Sequence, residues 1–217
     1  MNMQTNNATA TIEQRVRALE TVARDKGLLS ANFPADFASK PHEEWVPENG
    51  ARLVARAWTD QAFKQRLLQD GKRAAAELGF SMPEFHRSLV VLENTRELHN
   101  VICCSLCSCT AFTIIGLAPS WYKDLDYRAR VVRESRTVLG EMGLALADGM
   151  NIRVWDTTAD TRYMVLPLQP EFTGDWDEKR LASLVTKDSM IGVARLEAPY
   201  AAAPLDDAPL DDAPVIR

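Results

Sequence analysis

The sequence predicts an α+β fold, with a helical N-terminal arm followed by a sheet-containing domain. Two observations support this class. In the first half of the chain, apolar residues recur at spacings of three and four, which is the period of amphipathic helices. Further along, short apolar runs bounded by polar residues are typical of strands. Helices come first and strands follow without regular alternation, and this order is typical of α+β domains.

Residues 1–50 are predicted to form an N-terminal helix and an extended arm. The helix begins at Thr11, where the periodic apolar pattern starts, and it ends near Gly27. From Ala31 to Gly50 the chain contains three prolines and three large aromatic residues, a composition that favours an extended arm over a helix. An apolar arm of this kind needs a surface to cover, which belongs either to its own domain or to a partner subunit.

Residues 51–198 are predicted to form the main domain, and residues 199–217 a disordered acidic tail of Pro, Ala and Asp. The run from Tyr122 to Met142 is predicted to be helical, and its arginines form either a solvated face or an interface. The other predicted helices are Ala51 to Trp58, Gln61 to Leu78 with a break at Gly71, and Glu178 to Val185; the predicted strands are Leu89 to Leu92, Val101 to Cys103, Ile152 to Trp155, Tyr163 to Leu166 and Met190 to Ala194.

Composition narrows the classes of function. Hydrophobic residues make up 46% of the chain and charged residues 25%, as in ordinary globular proteins. The net charge is -5 and the basic residues are scattered, which argues against nucleic acid as a partner. No apolar run reaches the roughly 18 residues of a membrane-spanning helix, and the polar N-terminus does not resemble a secretory signal. We therefore expect a cytoplasmic protein.

All four cysteines lie between Cys103 and Cys109. Cys104, Cys107 and Cys109 stand at positions i, i+3 and i+5 after a predicted strand, so a tight turn can bring their sulfurs to one point. Soft thiolate ligands select iron, cobalt, zinc or copper(I). The main-chain nitrogens of Ser108 and Cys109 lie between the last two sulfurs and are further candidate ligands. The spacing therefore predicts a mononuclear metal site.

Other uses of the cysteines stay open on spacing alone. Structural zinc sites and iron-sulfur clusters need a fourth ligand, which the cysteine spacing does not supply. His99 is the nearest histidine, and it belongs to no recognisable zinc spacing. Redox-active thiols and plain structural burial are the remaining alternatives. Cys103 is expected to be a small buried residue of the strand rather than a ligand.

The run Val101 to Thr110 resembles the metal-binding signature of nitrile hydratase alpha subunits, in which the pattern is Cys-Ser/Thr-Leu-Cys-Ser-Cys. The resemblance covers roughly residues 11 to 195. Further similar segments are Pro47-Glu48-Asn49-Gly50-Ala51, Ala57-Trp58-Thr59-Asp60, Leu92-Glu93-Asn94-Thr95, Gly116-Leu117-Ala118-Pro119, Trp121-Tyr122-Lys123, Tyr127 to Glu134, Val154-Trp155-Asp156-Thr157, Arg162 to Pro167 and Val185-Thr186-Lys187-Asp188.

This resemblance implies a metal bound by the sulfurs of Cys104, Cys107 and Cys109 and by the main-chain nitrogens of Ser108 and Cys109. It implies one iron(III) ion per chain rather than cobalt(III), because cobalt enzymes of the family usually have Thr at the position of Ser105. It also implies that Cys107 is oxidised to a sulfinic acid and Cys109 to a sulfenic acid, since exposed thiolates of low pKa are readily oxidised.

The implied reaction is the hydration of nitriles to amides. We expect the Cys109 sulfenate to provide the attacking oxygen, with a metal-activated hydroxide or an outer water as alternatives. The Ser108 hydroxyl either orients water or substrate or is simply small enough for the turn. Phe85 and Phe112 stand near positions that line the pocket in relatives, which usually have Gln and Trp there, so we expect a more apolar pocket wall.

The resemblance implies a heteromer with a nitrile hydratase beta subunit, whose arginines bond the oxidised cysteines, and the N-terminal arm is expected to wrap that subunit. A metal-insertion activator protein is a further expected partner. The sequence leaves two alternative functions open. One is the metal subunit of a thiocyanate hydrolase, which resembles this chain and uses cobalt; the other is a non-enzymatic metal-binding or redox-sensing domain.

Overall fold

The N-terminal part of the chain forms two helices. The structure is a computed structural model that describes residues 10–30, 32–171 and 173–196, and the chain divides into two units after Glu44. Helix α1 spans Ile12–Asp25 and begins at a capping box, in which Thr11 and Gln14 bond each other's backbone N–H. This confirms the predicted start of the helix. Its apolar side chains are exposed in this chain, and they are Ile12, Val16, Leu19 and Val22.

The extended conformation predicted between Ala31 and Gly50 is wrong. Helix α2 spans Phe33–Glu43, and helix α3 already begins at Pro47. Pro34 and Pro47 lie in the first turns of these helices, where the missing N–H has no intrahelical acceptor. Pro41 lies inside α2, near its end. The prolines are therefore compatible with helices here, because two of them stand at helix starts.

Three helices open the second unit. Helix α3 spans Pro47–Thr59, α4 spans Gln61–Gln69 and α5 spans Gly71–Glu77. Asp60 and Asp70 cap α4 and α5 by accepting hydrogen bonds from backbone N–H groups. The predicted break at Gly71 is confirmed. A Cβ atom at Gly71 would lie 2.5 Å from the carbonyl oxygen of Leu89, so the helix can approach the following strand only with glycine there.

Within the described residues, four short strands form two parallel pairs. Strand β1 spans Ser88–Glu93, β2 spans Leu98–Cys103, β3 spans Asn151–Asp156 and β4 spans Thr161–Leu166. Strand β1 pairs with β4, and β2 pairs with β3. All four strands were predicted from their apolar runs. In the second pair Cys103 lies opposite Asp156, so the carboxyl ends of β2 and β3 are side by side.

The segment between the two halves of the sheet region is broken into short helices. Helix α6 spans Phe112–Ile115, a 3-10 turn spans Trp121–Lys123, α7 spans Leu125–Val131 and α8 spans Ser135–Glu141. The helical stretch predicted from Tyr122 to Met142 is thus confirmed in type but not in continuity. Tyr122 of the 3-10 turn and Tyr127 of α7 are buried, so both segments pack against the core through these side chains.

The strand predicted from Met190 to Ala194 is wrong. Helix α9 spans Glu178–Ala182 and helix α10 spans Lys187–Ile191, and Gly192 ends α10 with a φ of 94°. A short apolar run fits a buried helix end as well as a strand, because periodicity cannot separate them over five residues. The predicted acidic tail lies outside the described residues. Within the described part, no helix is long and apolar enough to cross a membrane.

Candidate metal centre

The cysteine cluster lies in a turn directly after strand β2. The sulfurs of Cys104, Cys107 and Cys109 all lie within 4.8 Å of one another. Cys104 Sγ is 3.3 Å from Cys107 Sγ, and Cys107 Sγ is 3.0 Å from Cys109 Sγ. Among residues 10–30, 32–171 and 173–196, no fourth His, Cys or carboxylate joins this group. Three convergent thiols without a fourth side chain suit a soft metal whose coordination is completed by other groups.

The first half of the cysteine loop is tied to the neighbouring strand. Asp156, the last residue of β3, accepts a hydrogen bond from the Ser105 backbone N–H at 2.9 Å and one from the Ser105 hydroxyl at 2.5 Å. Parallel pairing brings this carboxylate to the end of β2, because Asp156 lies opposite Cys103. The Cys107 N–H donates to Cys104 Sγ at 3.3 Å, which bends the loop back towards its start.

The second half of the loop is held by three other side chains. The Cys109 carbonyl oxygen accepts hydrogen bonds from the Thr157 hydroxyl at 3.2 Å and the Tyr122 hydroxyl at 3.1 Å. Arg128 Nη1 donates to the Cys107 carbonyl oxygen at 2.8 Å. One arginine of the charged stretch therefore belongs to the cysteine loop and not to a solvated face. Ser108 is half-buried between the last two cysteines.

The three sulfurs differ in access to solvent and in charge. Cys104 is 1% exposed, Cys109 is intermediate and Cys107 is exposed. Burial would raise the pKa of Cys104, but hydrogen bonds from Thr157 and from the amides of Cys109 and Cys107 lower it to about 7. Burial, together with the hydrogen bond to Cys107, raises the pKa of Cys109 to about 12.

Two residues near the loop are outside the site, as the sequence predicts. Cys103 is fully buried at the end of β2, where burial and the nearby Asp156 raise its pKa to about 12. His99 Nε2 lies 2.7 Å from the Gly192 carbonyl oxygen, and its Nδ1 lies 3.3 Å from Asn94. Both ring nitrogens of His99 therefore have partners away from the cysteines.

The two predicted pocket residues, Phe85 and Phe112, both contact the ring of His86. Phe85 is 64% exposed, and its ring lies 4.6 Å from the ring of His86. Phe112 packs edge-on between His86 at 5.2 Å and Trp45 at 4.7 Å. His86 is 0% exposed, and neither of its ring nitrogens has a hydrogen-bond partner among the described residues. Phe112 is thus a packing residue of this cluster in the structure.

A large groove of the second unit is lined by none of the cysteines. It has a volume of about 870 Å³ and is formed between α3, α4, α5 and α9. Its floor includes Ala51, Ala55 and Phe63, and ion pairs such as Arg66–Glu77 line its rim. The residues that line this groove include none of the three converging cysteines, so the groove is separate from the cysteine cluster.

Several residues of the site were not assigned by the sequence. Asp156, Thr157, Tyr122 and Arg128 lie 13 to 51 residues along the chain from the loop residues that they contact, so no local spacing indicates them. The sequence does contain one indication for Asp156 and Thr157. Both come at the end of a predicted strand, as the cysteines do. If the two strands are parallel neighbours, residues at their carboxyl ends lie at the same edge of the sheet.

Comparison with known proteins agrees with this geometry. The family model for the nitrile hydratase alpha chain matches residues 10–194. A nitrile hydratase subunit alpha of a Rhodococcus species is 46% identical, over 89% of this chain and 99% of that protein. The low-molecular weight cobalt-containing nitrile hydratase subunit alpha of Rhodococcus rhodochrous is 45% identical, over 88% and 92%.

One of the relatives is a subunit of an enzyme with a different name. The thiocyanate hydrolase subunit gamma of Thiobacillus thioparus is 40% identical, over 82% of this chain and 76% of that protein. Among solved structures, a double mutant of the Fe-type nitrile hydratase of Comamonas testosteroni Ni1 is 57% identical, with a TM-score of 0.80 over 96% of this chain and 98% of that one. The family match over residues 10–194, together with relatives 45% to 46% identical over almost the whole chain, shows that this chain belongs to the nitrile hydratase alpha-chain family.

Proposed function

We propose that this chain is the metal-bearing subunit of a heteromeric cytoplasmic enzyme that hydrates nitriles to amides, with one iron(III) ion per chain. The observation that carries the proposal is the convergence of the Cys104, Cys107 and Cys109 sulfurs within 4.8 Å. The main-chain nitrogens of Ser108 and Cys109 complete the protein's ligand set, because they lie between the last two sulfurs. Five ligands from one short loop leave a sixth position for water or substrate.

Two observations support iron over cobalt. Ser105 stands where cobalt enzymes of the family usually have Thr. The Fe-type nitrile hydratase structure is 57% identical to this chain, whereas the cobalt-containing relative is 45% identical. Metal analysis of the purified heteromer tests this part of the proposal directly.

Differences in access support the proposed oxidation of two cysteines. Cys107, the proposed sulfinic acid, is exposed, and Cys109, the proposed sulfenic acid, is partly exposed. Cys104 is 1% exposed and stays a plain thiolate in this proposal. Access to an oxidant therefore favours Cys107 and Cys109 over Cys104. The pKa values, about 7 for Cys104 and about 12 for Cys109, favour the opposite order, but a bound metal would deprotonate all three thiols. Mass spectrometry of the loop peptide would show two oxygens on Cys107 and one on Cys109.

Each loop residue then has a defined task. When bound, a trivalent metal acts as a Lewis acid on the nitrile or on water. The Cys109 sulfenate oxygen attacks the nitrile carbon, and a water molecule restores that oxygen, so the net reaction adds one water. The Ser108 hydroxyl orients the water or the substrate. Cys104 anchors the loop from the buried side, and Phe85 forms part of an apolar pocket wall with Phe112 behind it.

The second half of the site comes from a beta subunit in this proposal. Leu106 is 90% exposed in the middle of the cysteine loop, and Leu125, the first residue of the helix that carries Arg128, is 72% exposed. Apolar side chains around a reactive loop are typical of a surface that a partner covers. The partner contributes arginines to the oxidised cysteines, and the region 1–50 wraps it through the exposed apolar side of α1. Insertion of the metal by an activator protein stays a prediction.

The test uses the chain co-expressed with its partner subunit. We expect visible absorption from a thiolate-bound trivalent metal, one iron for each copy of this chain and turnover of nitriles. Cys109→Ser should abolish turnover even where metal is retained. Cys103→Ala is the matched control, because it removes a neighbouring thiol that is buried and outside the converging set. Substantial turnover by a metal-loaded Cys109→Ser enzyme would refute the sulfenate role.

Thiocyanate hydrolysis is the second candidate function. A thiocyanate hydrolase subunit is 40% identical to this chain. Cobalt in the purified heteromer, together with turnover of thiocyanate and none of nitriles, would favour this function. Four-coordinate zinc or a reversible disulfide, with no activity on either substrate, would favour a non-enzymatic metal-binding or redox-sensing role.

A further inference from the structure

Asp156 touches the cysteine loop but is neither a ligand nor a reacting group in the function proposed above. We propose that Asp156 is a positioning residue for the metal centre and that it acts through Ser105. The inference rests on the proposed function in one respect, namely that residues 104–109 bind the metal. It assigns the Ser105 hydroxyl a physical role that the sequence pattern alone does not explain.

Both carboxylate oxygens of Asp156 are used by a single residue. Oδ1 accepts from the Ser105 N–H at 2.9 Å, and Oδ2 accepts from the Ser105 hydroxyl at 2.5 Å. A carboxylate is a strong acceptor, and two bonds to one residue fix both its backbone and its side chain. The Ser105 hydroxyl therefore donates to Asp156, away from the sulfurs.

The sheet fixes the position of this carboxylate. Asp156 lies opposite Cys103 in the parallel pair of β2 and β3, and the Thr157 N–H continues the ladder by donating to the Cys103 carbonyl oxygen at 3.0 Å. Thr157 in turn donates to the Cys109 carbonyl oxygen. Two consecutive residues at the end of β3 thus hold the first and the last residue of the segment 105–109.

These hydrogen bonds from Ser105 to Asp156 and from Thr157 to Cys109 determine where the cysteine sulfurs lie before metal binds. Ser105, Leu106 and Cys107 are exposed, so packing in this chain does not order the first half of the loop. The contact with Asp156 supplies that order from a rigid strand end. Groups that orient metal ligands without touching the metal commonly change metal affinity or activity by about 10- to 100-fold when they are removed.

The contact also explains why a hydroxyl residue suits position 105. Serine and threonine can both donate to Asp156, and alanine cannot. Threonine adds a methyl group that restricts its χ1 angle, so it holds the same bond with less freedom. We therefore expect Ser105→Thr to keep both hydrogen bonds to Asp156. Ser105→Ala should keep only the one from the backbone N–H.

The test measures metal retention in the heteromer, independently of nitrile turnover. The rate of metal loss to excess chelator is followed by visible absorption, at a temperature where the wild type loses metal over hours. We expect Asp156→Ala to lose metal about 10- to 100-fold faster, and Ser105→Ala to move in the same direction. Asp156→Asn should restore much of the retention, because its amide can accept from the Ser105 N–H and donate to the hydroxyl oxygen. Ser105→Thr should remain close to the wild type.

Asp148→Ala is the matched control, because Asp148 is an exposed acid in a loop outside the site. The double variant Asp156→Ala/Ser105→Ala should lose metal no faster than Asp156→Ala alone, since both act through one contact. Wild-type retention in both single variants would overturn the proposal, and so would multiplicative effects in the double variant. Equal rates for Asp156→Asn and Asp156→Ala would show that charge, not positioning, is responsible.

The outcomes also separate this inference from the function on which it rests. A wild-type heteromer that holds metal but hydrates no nitrile refutes the proposed function, while the variant rates still decide the role of Asp156. If Asp156→Ala fails to assemble, Ser105→Ala decides, because it leaves β3 unchanged. A wild-type heteromer that holds no metal overturns both.

Discussion

His86 should make the stability of this protein depend on pH in a defined window. Its side chain is 0% exposed, and its ring packs against Phe85 and Phe112. Burial, with further contributions from the positive charges of Arg162 and Lys72, lowers its pKa from 6.5 to about 4. His86 is therefore neutral in the folded chain at pH 7.

The magnitude follows from the two pKa values. The unfolded chain binds the proton near pH 6.5 and the folded chain only near pH 4, so the unfolded state gains protons first as the pH falls. The free energy of unfolding should therefore decline between pH 6.5 and about 4. At about 1.4 kcal/mol per pH unit, the contribution of this one residue reaches about 3 kcal/mol.

Urea unfolding at pH 7.0 and pH 4.5 would measure this effect in the wild type and in His86→Leu. Leucine is close to histidine in volume and cannot bind a proton, so the variant should lose about 2 to 3 kcal/mol less on acidification. At pH 7 the variant should be as stable as the wild type or more so, because no described group bonds the imidazole. His42→Leu, at an exposed position of α2, is the control. Equal acid sensitivity of His86→Leu and the wild type would refute the reasoning.

Three further changes test other parts of the structure. Tyr127→Phe removes a buried hydroxyl that donates to the Ile102 carbonyl oxygen at 3.0 Å, and urea unfolding should show a loss of about 1 to 2 kcal/mol; an unchanged midpoint would contradict this. Gly192→Ala places a Cβ 2.1 Å from a backbone oxygen of β2, at a φ of 94°. It should lower the free energy of unfolding by at least about 3 kcal/mol. Gly174→Ala is the control, because its Cβ would meet nothing within 4 Å and should change stability little. Phe85→Gln makes the proposed pocket wall more polar and should shift relative turnover from aromatic towards aliphatic nitriles; an unchanged ratio would remove Phe85 from the pocket.

Local sequence was sufficient for the strands and for the metal loop. Strands β1 to β4 coincide with apolar runs, and the helix start at Thr11 follows from its capping pattern. The convergence of Cys104, Cys107 and Cys109 also depends on short-range spacing, because six residues in a turn contain all three sulfurs. Strands, helix starts and the cysteine spacing each depend on only a few neighbouring residues, so a local sequence pattern can predict them.

Local sequence gave the wrong secondary structure in two places where the same pattern is compatible with either of two conformations. The prolines between residues 31 and 50 predicted extended chain, yet Pro34 and Pro47 begin helices. The apolar run at Met190 predicted a strand, yet it ends helix α10 against the core. In both places the neighbouring elements decide the outcome, because helix starts tolerate proline and a buried helix end is as apolar as a strand.

The sequence by itself determined that three thiols can meet at one point; the tertiary structure decided how their loop is held. Pairing of β2 with β3 brings Asp156 to Ser105 and Thr157 to Cys109 across about 50 residues of chain. Packing of α7 brings Arg128 to the Cys107 carbonyl. Ligand identity is a property of residue type and short spacing, whereas ligand orientation depends on strand register and helix packing, which no local pattern encodes.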